Sequence, residues 1–204
     1  MSDGSVVVAR PQAPRALVLL FHGVGSSPAN LVPLAQLIAR QQPHARVVSV
    51  EGAHPASFGA GREWFPVAGV TEANRPERVA AALPSFESAV RKWQAEAGVA
   101  PAGTALVGFS QGAIMSLEAT QAADLAHRVV AISGRFAQPP RQAPAGVTFR
   151  FVHGESDSVI PARFSVEAAD RLRSLGADAS AQLVPGLAHG IDDRAARLVL
   201  QALG

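Results

Sequence analysis

The sequence of 204 residues contains no cysteine, which excludes disulfide bonds, thiolate metal sites and a cysteine nucleophile. No stretch approaches the run of about 18 apolar residues that a membrane-spanning helix requires. The segment from Met1 to Pro14 lacks the basic and apolar regions of a signal peptide. Charges nearly balance, at a formal +2, and no basic run is present, so nucleic acid is not expected as a partner. We therefore expect a cytoplasmic protein without a membrane span.

Apolar residues are abundant, at 48% of the chain, and the length suits a single domain covering residues 1–204. Short apolar runs alternate with longer segments in which apolar residues recur every three or four positions. This alternation predicts an α/β fold, with helices on both faces of a mostly parallel sheet. The predicted strands are Ser5 to Ala9, Ala16 to Phe21, Arg46 to Val50, Thr104 to Val107, Arg128 to Ile132, Val147 to Val152 and Ala179 to Val184. The predicted helices are Asn30 to Gln41, Pro76 to Ala97, Gln111 to Ala123, Ala162 to Leu175 and Asp192 to Leu203, with Pro84 expected to kink or split the second.

A candidate nucleophile, Ser110, lies in the segment Gly108-Phe109-Ser110-Gln111-Gly112, which matches the pattern G-x-S-x-G. The segment follows one predicted strand directly and leads into a predicted helix. On such a strand-turn-helix junction, a tight turn holds the serine hydroxyl above the edge of the sheet. Ser133 also ends a predicted strand, but no helix follows it, and a turn role is expected there.

A serine hydroxyl needs a histidine to take its proton, and the histidine needs a carboxylate to orient it. On a parallel sheet of this kind the chain order is serine, acid, histidine, and each group follows the end of a strand. Of the six histidines, His189 alone meets both conditions. Asp157, beyond the strand Val147 to Val152, is the preferred acid. Glu155 remains the alternative, because two residues of loop could bring either carboxylate to the imidazole. His153 is expected to bond the local turn.

Attack on a carbonyl group creates an oxyanion, which backbone N–H groups stabilise. One donor is expected from Gln111, the residue after the nucleophile, and the other from Val24, in a glycine-containing loop after an early strand. That loop has neither the lysine of a P-loop nor the spacing G-x-G-x-x-G, so phosphate cradling is the weaker interpretation. His22, at the start of the loop, is expected to brace it.

Several segments together resemble the phospholipase/carboxylesterase family, which includes acyl-protein thioesterases and small bacterial esterases. They are His22-Gly23-Val24-Gly25, Gly108-Phe109-Ser110-Gln111-Gly112, His153-Gly154-Glu155-Ser156-Asp157 and Ala188-His189, and Gly61-Arg62-Glu63-Trp64-Phe65 is similar to that family's Trp-Phe loop. The resemblance implies a three-layer α/β-hydrolase fold and hydrolysis of a small-molecule ester or thioester without metal or organic cofactor. It implies a triad of Ser110, Asp157 and His189, with Val24 and Gln111 as oxyanion donors, and it is compatible with a homodimer.

The substrate pocket is expected to be open, because the stretch from Ser133 to Gly146 is too short to hold a cap domain. The longest irregular stretch runs from Glu51 to Arg75, and its aromatic residues Trp64 and Phe65 could either wall an acyl pocket or pin the loop to the core. Gly25, Trp64 and Phe65 are the candidate substrate-binding residues. We expect a carboxylesterase for short to medium acyl esters. The alternatives are a lysophospholipase or acyl thioesterase with the same triad, and a non-catalytic binding protein on the same fold.

Overall fold

The structure is a computed structural model that describes residues 4–204; residues 1–3, the start of the segment from Met1 to Pro14, lie outside that range. A seven-stranded sheet forms the centre of this described part. The strands are β1 (Val6–Ala9), β2 (Ala16–Phe21), β3 (Ala45–Val50), β4 (His54–Pro55), β5 (Arg62–Glu63), β6 (Thr104–Phe109), β7 (Arg128–Ile132), β8 (Thr148–Gly154) and β9 (Asp178–Val184). The order in the sheet is β1-β3-β2-β6-β7-β8-β9, and β1 is antiparallel to β3 while the other neighbours are parallel.

Helices cover both faces of the sheet. They are α1 (Val32–Gln41), α2 (Arg75–Ala97), α3 (Gln111–Ala122), α4 (Arg163–Ser174) and α5 (Asp193–Leu203). On one face α1 and α5 lie against the sheet, and on the other face lie α2, α3 and α4. The predicted three-layer α/β arrangement is confirmed. None of the helices within residues 4–204 combines the length and the apolar content needed to cross a membrane.

Strand β2 shows why a continuous apolar run predicts a central strand. Leu17, Leu19 and Phe21 belong to the core cluster under α2 and α3, whereas Val18 and Leu20 belong to the cluster under α1 and α5. Successive side chains of a strand point to opposite faces, so a strand that is covered on both faces must be apolar throughout. Each such side chain contributes about 1.5–3 kcal/mol through burial. This buried sheet fixes the positions of the strand ends that carry the site.

The predicted strands and helices of the sheet are all present, with ends that differ by one or two residues. Two differences concern the stretch before α2 and α2 itself. The stretch from Glu51 to Arg75 is not wholly irregular, because β4 and β5 pair in it as a short antiparallel ladder. Pro84 does not split α2, which runs unbroken from Arg75 to Ala97. Both Pro84 and Ala80, whose carbonyl loses its helical N–H partner, are exposed, so water can satisfy that carbonyl.

Candidate active site

Ser110 occupies the sharp turn between β6 and α3, with φ of 52° and ψ of −114°. Residues other than glycine rarely adopt a positive φ, and in a folded protein the surrounding structure must impose this angle. Two glycines make the turn sterically feasible. A Cβ atom on Gly108 would lie 2.4 Å from Cα of Ala113, and one on Gly112 would lie 2.2 Å from the carbonyl oxygen of Phe21. The pattern G-x-S-x-G thus lets α3 begin directly against the strands.

The structure brings Ser110, His189 and Asp157 together from three separate strand ends. Nε2 of His189 lies 3.0 Å from Oγ of Ser110, and its Nδ1 lies 2.7 Å from Oδ2 of Asp157. A carboxylate only accepts hydrogen bonds, so Nδ1 carries the imidazole proton and Nε2 is free to accept the serine proton. This is the arrangement that general-base activation of a serine requires.

Asp157 is buried, with 6% of its surface exposed, and its two carboxylate oxygens have different partners. Oδ2 faces His189, while Oδ1 accepts hydrogen bonds from the backbone amides of Val159 and Ile160, each at 2.9 Å. Burial by itself would raise the pKa of Asp157, but the hydrogen bonds from His189 and from the two amides outweigh it and hold this pKa below its ordinary value. The carboxylate is therefore ionised at neutral pH.

Glu155, the alternative acid, lies elsewhere. Its side chain is exposed, and its backbone amide donates to the carbonyl of Val184 on β9. In the described structure it makes no hydrogen bond to His189, whose Nδ1 is occupied by Asp157. The loop after β8 thus turns the second of the two candidate carboxylates inward.

His153 makes a contact that the sequence did not predict. Its Nε2 lies 2.8 Å from the carbonyl oxygen of Ile160 and 3.2 Å from Oδ2 of Asp157, and its Nδ1 lies 2.7 Å from Oγ of Ser165. Because both partners of Nε2 are acceptors, the proton sits on Nε2 and Nδ1 accepts from the serine hydroxyl. Burial lowers the pKa of His153 despite the nearby carboxylate, so the ring is neutral. The expected bond to the local turn is confirmed, and a second N–H directed at Asp157 is added.

The amides of Val24 and Gln111 are available for an oxyanion. Gln111 is the first residue of α3, where a helix leaves its N–H groups without intrahelical partners. Neither amide donates to a backbone carbonyl within residues 4–204. Both residues line the same cavity as Ser110, and Val24 is 41% exposed. The loop around Val24 is held by the neighbouring amide of Gly25, which donates to the carbonyl of Arg62 at 2.9 Å.

His22 braces this loop from below, as predicted, and is fully buried. The amide of Gly52 donates to its Nε2 at 3.1 Å, so the proton is on Nδ1, which donates to the carbonyl of Gly23 at 2.7 Å. Burial is the main reason that the pKa of His22 is lowered, and the ring is neutral. A buried imidazole with both nitrogens occupied has no further role in proton transfer.

The side chain of Gln111 ties the aromatic loop to the serine turn. Its Oε1 accepts from the amide of Trp64 at 2.8 Å, and its Nε2 donates to the carbonyl of Phe65 at 2.7 Å. The indole of Trp64 is 2% exposed, contacts the ring of Phe21 and donates to the carbonyl of His22 at 2.8 Å. Trp64 therefore pins the loop to the core. The sequence did not predict this side-chain clamp, because the second x of the pattern G-x-S-x-G, which Gln111 occupies, can be any residue.

A cavity of about 550 Å³ opens next to Ser110. Phe65 lines it, together with apolar residues of the same stretch and of the loop after β8, whereas Trp64 and Gly25 do not lie on its wall. Four charged residues also line it: Glu72, Arg75, Arg135 and Arg163. Within residues 4–204, no group of histidine and carboxylate side chains is arranged to hold a metal ion.

A mostly parallel sheet with a serine at a strand-turn-helix junction, facing a histidine and an aspartate from later strand ends, defines an α/β-hydrolase. The chain belongs to the phospholipase/carboxylesterase family, whose model matches residues 2–203. It is 44% identical over 205 residues to esterase YpfH of Escherichia coli (strain K12), covering 100% of this chain and 88% of that protein.

Solved structures agree with this assignment. The crystal structure of esterase PE8 is 28% identical, with a TM-score of 0.88 over 99% of this chain and 97% of the other. A carboxylesterase from Mesorhizobium loti shares the fold at 22% identity, with a TM-score of 0.76 over 93% and 88% of the two chains. The predicted family and enzyme class are confirmed: the chain is a carboxylic ester hydrolase.

Proposed function

We propose that the enzyme hydrolyses short and medium acyl esters through an acyl-enzyme on Ser110, with His189 as the proton carrier and Asp157 as its orienting partner. The observation that carries this proposal is the continuous pair of hydrogen bonds from Ser110 to His189 at 3.0 Å and from His189 to Asp157 at 2.7 Å. Nucleophile, base and acid stand in the order and at the distances that acyl transfer requires.

In the first step, Oγ of Ser110 attacks the carbonyl carbon of the ester while Nε2 of His189 takes the hydroxyl proton. The carbonyl oxygen becomes an oxyanion, to which the amides of Val24 and Gln111 donate. The tetrahedral intermediate collapses when the bond to the alcohol oxygen breaks, and His189 returns the proton to that oxygen. The alcohol departs, and the acyl group remains on Ser110.

In the second step, water attacks the acyl carbon and His189 takes its proton. The same amides stabilise the second oxyanion, the bond to Oγ breaks, and His189 protonates the serine as the carboxylic acid departs. Asp157 stays ionised throughout and stabilises the imidazolium. Its lowered pKa and the two backbone amides on its Oδ1 support that role.

The preference for short and medium acyl chains rests on the shape of the site. The connection from β7 to β8 spans residues 133–147 and adds no helix or strand over the cavity. The apolar wall, with Phe65 among its members, can hold a chain of several carbons, while the described chain adds no cap between β7 and β8 to enclose a long one. Phe65 is the candidate acyl contact, and Trp64 supports the loop from the core side.

Labelling and kinetics test the proposal together. A fluorophosphonate probe should label the wild type and Ser133→Ala, and should not label Ser110→Ala. Across 4-nitrophenyl esters from acetyl to palmitoyl, kcat/KM should fall as the chain lengthens. Equal labelling of Ser110→Ala would refute the assigned nucleophile, and a steady rise through palmitoyl would refute the substrate range.

A further inference from the structure

One wall of the cavity that contains Ser110 is cationic. Arg75, Arg135 and Arg163 line it, and Glu72 is the one carboxylate among its lining residues within the described chain. Three guanidinium groups and one carboxylate leave a local excess of two positive charges. The whole chain of 204 residues carries only +2, so this excess is a local concentration of charge beside the nucleophile and not a general basicity.

Glu72 only partly neutralises this wall. Its carboxylate accepts from Nη1 of Arg75 at 2.6 Å and lies 3.0 Å from Nη2 of Arg135. The side chains of the two arginines are 16% and 13% exposed, whereas that of Glu72 is 69% exposed. The cations therefore belong to the wall, and the carboxylate reaches them from the solvent side. Because solvent reaches the carboxylate partner of both pairs, an incoming anion can compete with Glu72 for the arginine donors.

Arg135 is held rigidly in this wall. Its guanidinium stacks on the ring of Phe164 at 3.7 Å, and its Nε donates to the carbonyl of Phe136 at 3.1 Å. Burial lowers the pKa of Arg135, the Glu72 carboxylate opposes this shift, and Arg75 and Arg163 add to it. Arg135 is thus fixed by protein contacts beside the two other arginines of the cavity.

Arg163 supplies donors that have no ion-pair partner among residues 4–204. Its guanidinium lies 4.8 Å from the centre of the Phe164 ring, which Arg135 also contacts. It forms no ion pair with any residue from 4 to 204. A guanidinium group carries five N–H donors in a planar fork that matches a carboxylate or a phosphate. The described part of the chain therefore leaves these donors free on the wall of the cavity.

We propose that this arginine wall, formed by Arg75, Arg135 and Arg163, binds an anionic group of the substrate, so that the enzyme favours esters bearing a carboxylate or a phosphate over neutral esters. The inference rests on the proposed function, because the wall and Ser110 share one cavity of about 550 Å³. A guanidinium group binds carboxylate and phosphate through the same hydrogen-bonding geometry. Competitive inhibition by each anion therefore distinguishes which of the two the site prefers.

The first experiment compares two esters that differ by one charge: mono(4-nitrophenyl) glutarate and its methyl ester. Spontaneous hydrolysis is subtracted with Ser110→Ala. In the wild type, kcat/KM for the anionic ester should exceed that for the methyl ester about tenfold at low ionic strength, and the ratio should shrink as salt is added. Glutarate and inorganic phosphate are then compared as competitive inhibitors of 4-nitrophenyl butyrate hydrolysis, and the tighter inhibitor identifies the preferred anion.

Variants of Arg163 test whether the preference for the anionic ester depends on the arginine wall. Arg163→Gln should lower the ratio between the two esters about threefold, and Arg163→Glu should lower it roughly tenfold. The matched control is Arg40→Gln on α1, which removes one exposed positive charge on the opposite face of the sheet and should leave the ratio and the activity unchanged. Arg163 is exposed and its guanidinium forms no ion pair with the described chain, so its replacement should not disturb folding.

The outcomes separate the two proposals. Activity on the neutral ester with a wild-type ratio of one or less would overturn the anion preference and leave the serine mechanism intact. A ratio that exceeds one but does not change in either Arg163 variant would equally overturn the assignment to this wall. Absence of activity on both esters, together with absence of fluorophosphonate labelling, would remove the proposed function and the inference that depends on it.

Discussion

Two serines stand at the ends of adjacent central strands and share a backbone arrangement. Ser110 follows β6 and Ser133 follows β7, with φ values of 52° and 46°. The amide of Ser110 donates to the carbonyl of Ile132 at 2.9 Å, and that of Ser133 donates to the carbonyl of Val152 at 3.0 Å. Each serine is thus held by the last residues of the next strand, and both are almost excluded from solvent, at 7% and 0% exposure.

The two side chains differ completely in their partners. The hydroxyl of Ser110 faces His189 at 3.0 Å, whereas the hydroxyl of Ser133 has no hydrogen-bond partner among residues 4–204. A helix begins directly after Ser110, but none begins after Ser133, where Gly134 lies against α3 so closely that a Cβ would be 2.3 Å from Cβ of Ala113. The two turns thus share their backbone strain, and what distinguishes Ser110, the proposed nucleophile, is the following helix and the histidine.

The largest expected effect tests this contrast directly. Ser110→Ala should lower kcat/KM for 4-nitrophenyl butyrate about 10⁴-fold or more, because the acyl-enzyme cannot form. Ser133→Ala should stay within about twofold of the wild type, since its buried hydroxyl has no hydrogen-bond partner among residues 4–204. Both variants are measured at one pH with the folded fraction checked by circular dichroism. A comparable loss in Ser133→Ala would abolish the distinction between the two turns.

The next effect concerns Asp157, the proposed orienting partner of His189. Asp157→Asn should lower kcat about 10³–10⁴-fold, because an amide can present its NH₂ group to Nδ1 and leave the proton on the nitrogen that faces the serine. Glu155→Gln serves as the matched control, with the same chemical change two residues away on an exposed side chain. It should cost less than about twofold. The opposite pattern would make Glu155 the acid.

A smaller effect is expected from the second histidine on Asp157. His153→Phe removes the donor nitrogen that lies 3.2 Å from Oδ2 of Asp157, and kcat should fall about tenfold while KM changes little, since Asp157 keeps its backbone partners. Ser165→Ala is the control, because it removes the partner of the other ring nitrogen and leaves the contact with Asp157 in place. Equal losses in kcat would show that His153 acts through general packing and not through the carboxylate.

Local sequence predicts the Ser110 side of this comparison well. A buried strand, the pattern G-x-S-x-G and the chain order of serine, acid and histidine are properties of short segments and of a parallel sheet. Contacts that join distant segments escape such reasoning. The clamp of Gln111 on Trp64, the N–H of His153 on Asp157 and the arginine wall each depend on how loops from different strands meet. Trp64 is a candidate substrate-binding residue from the sequence, whereas its indole is buried in the core and does not line the cavity.

The stability of the protein should depend on pH because two histidines near Ser110, His22 and His153, are buried and neutral. Burial lowers both pKa values, although Glu51 opposes this at His22 and Asp157 opposes it at His153. As the pH falls below the ordinary histidine value of 6.5, the unfolded chain therefore binds protons that the folded chain does not. The stability present above that pH is then lost.

The loss should approach about 1.4 kcal/mol of unfolding free energy per pH unit for each histidine that stays neutral. Urea unfolding at pH 7.5, 6.5 and 5.5 measures it, in a range where Asp157 remains ionised because its pKa is lowered. His153→Phe should show a shallower dependence than the wild type. A flat curve in the wild type would mean that these two histidines titrate in the folded protein as they do in the unfolded one.

The smallest effect is on the stability of the Ser133 turn itself. Ser133→Ala should raise the unfolding free energy by about 1 kcal/mol, because it removes a buried hydroxyl that has no hydrogen-bond partner in the described protein and keeps the backbone as it is. Ser110→Ala should not gain stability in this way, since it breaks the bond to His189. Urea unfolding of both variants at pH 7.5 measures the difference. Destabilisation by Ser133→Ala would mean that the Ser133 hydroxyl does form a hydrogen bond in the folded state. The two serines would then differ only in that Ser110 has a histidine as its partner.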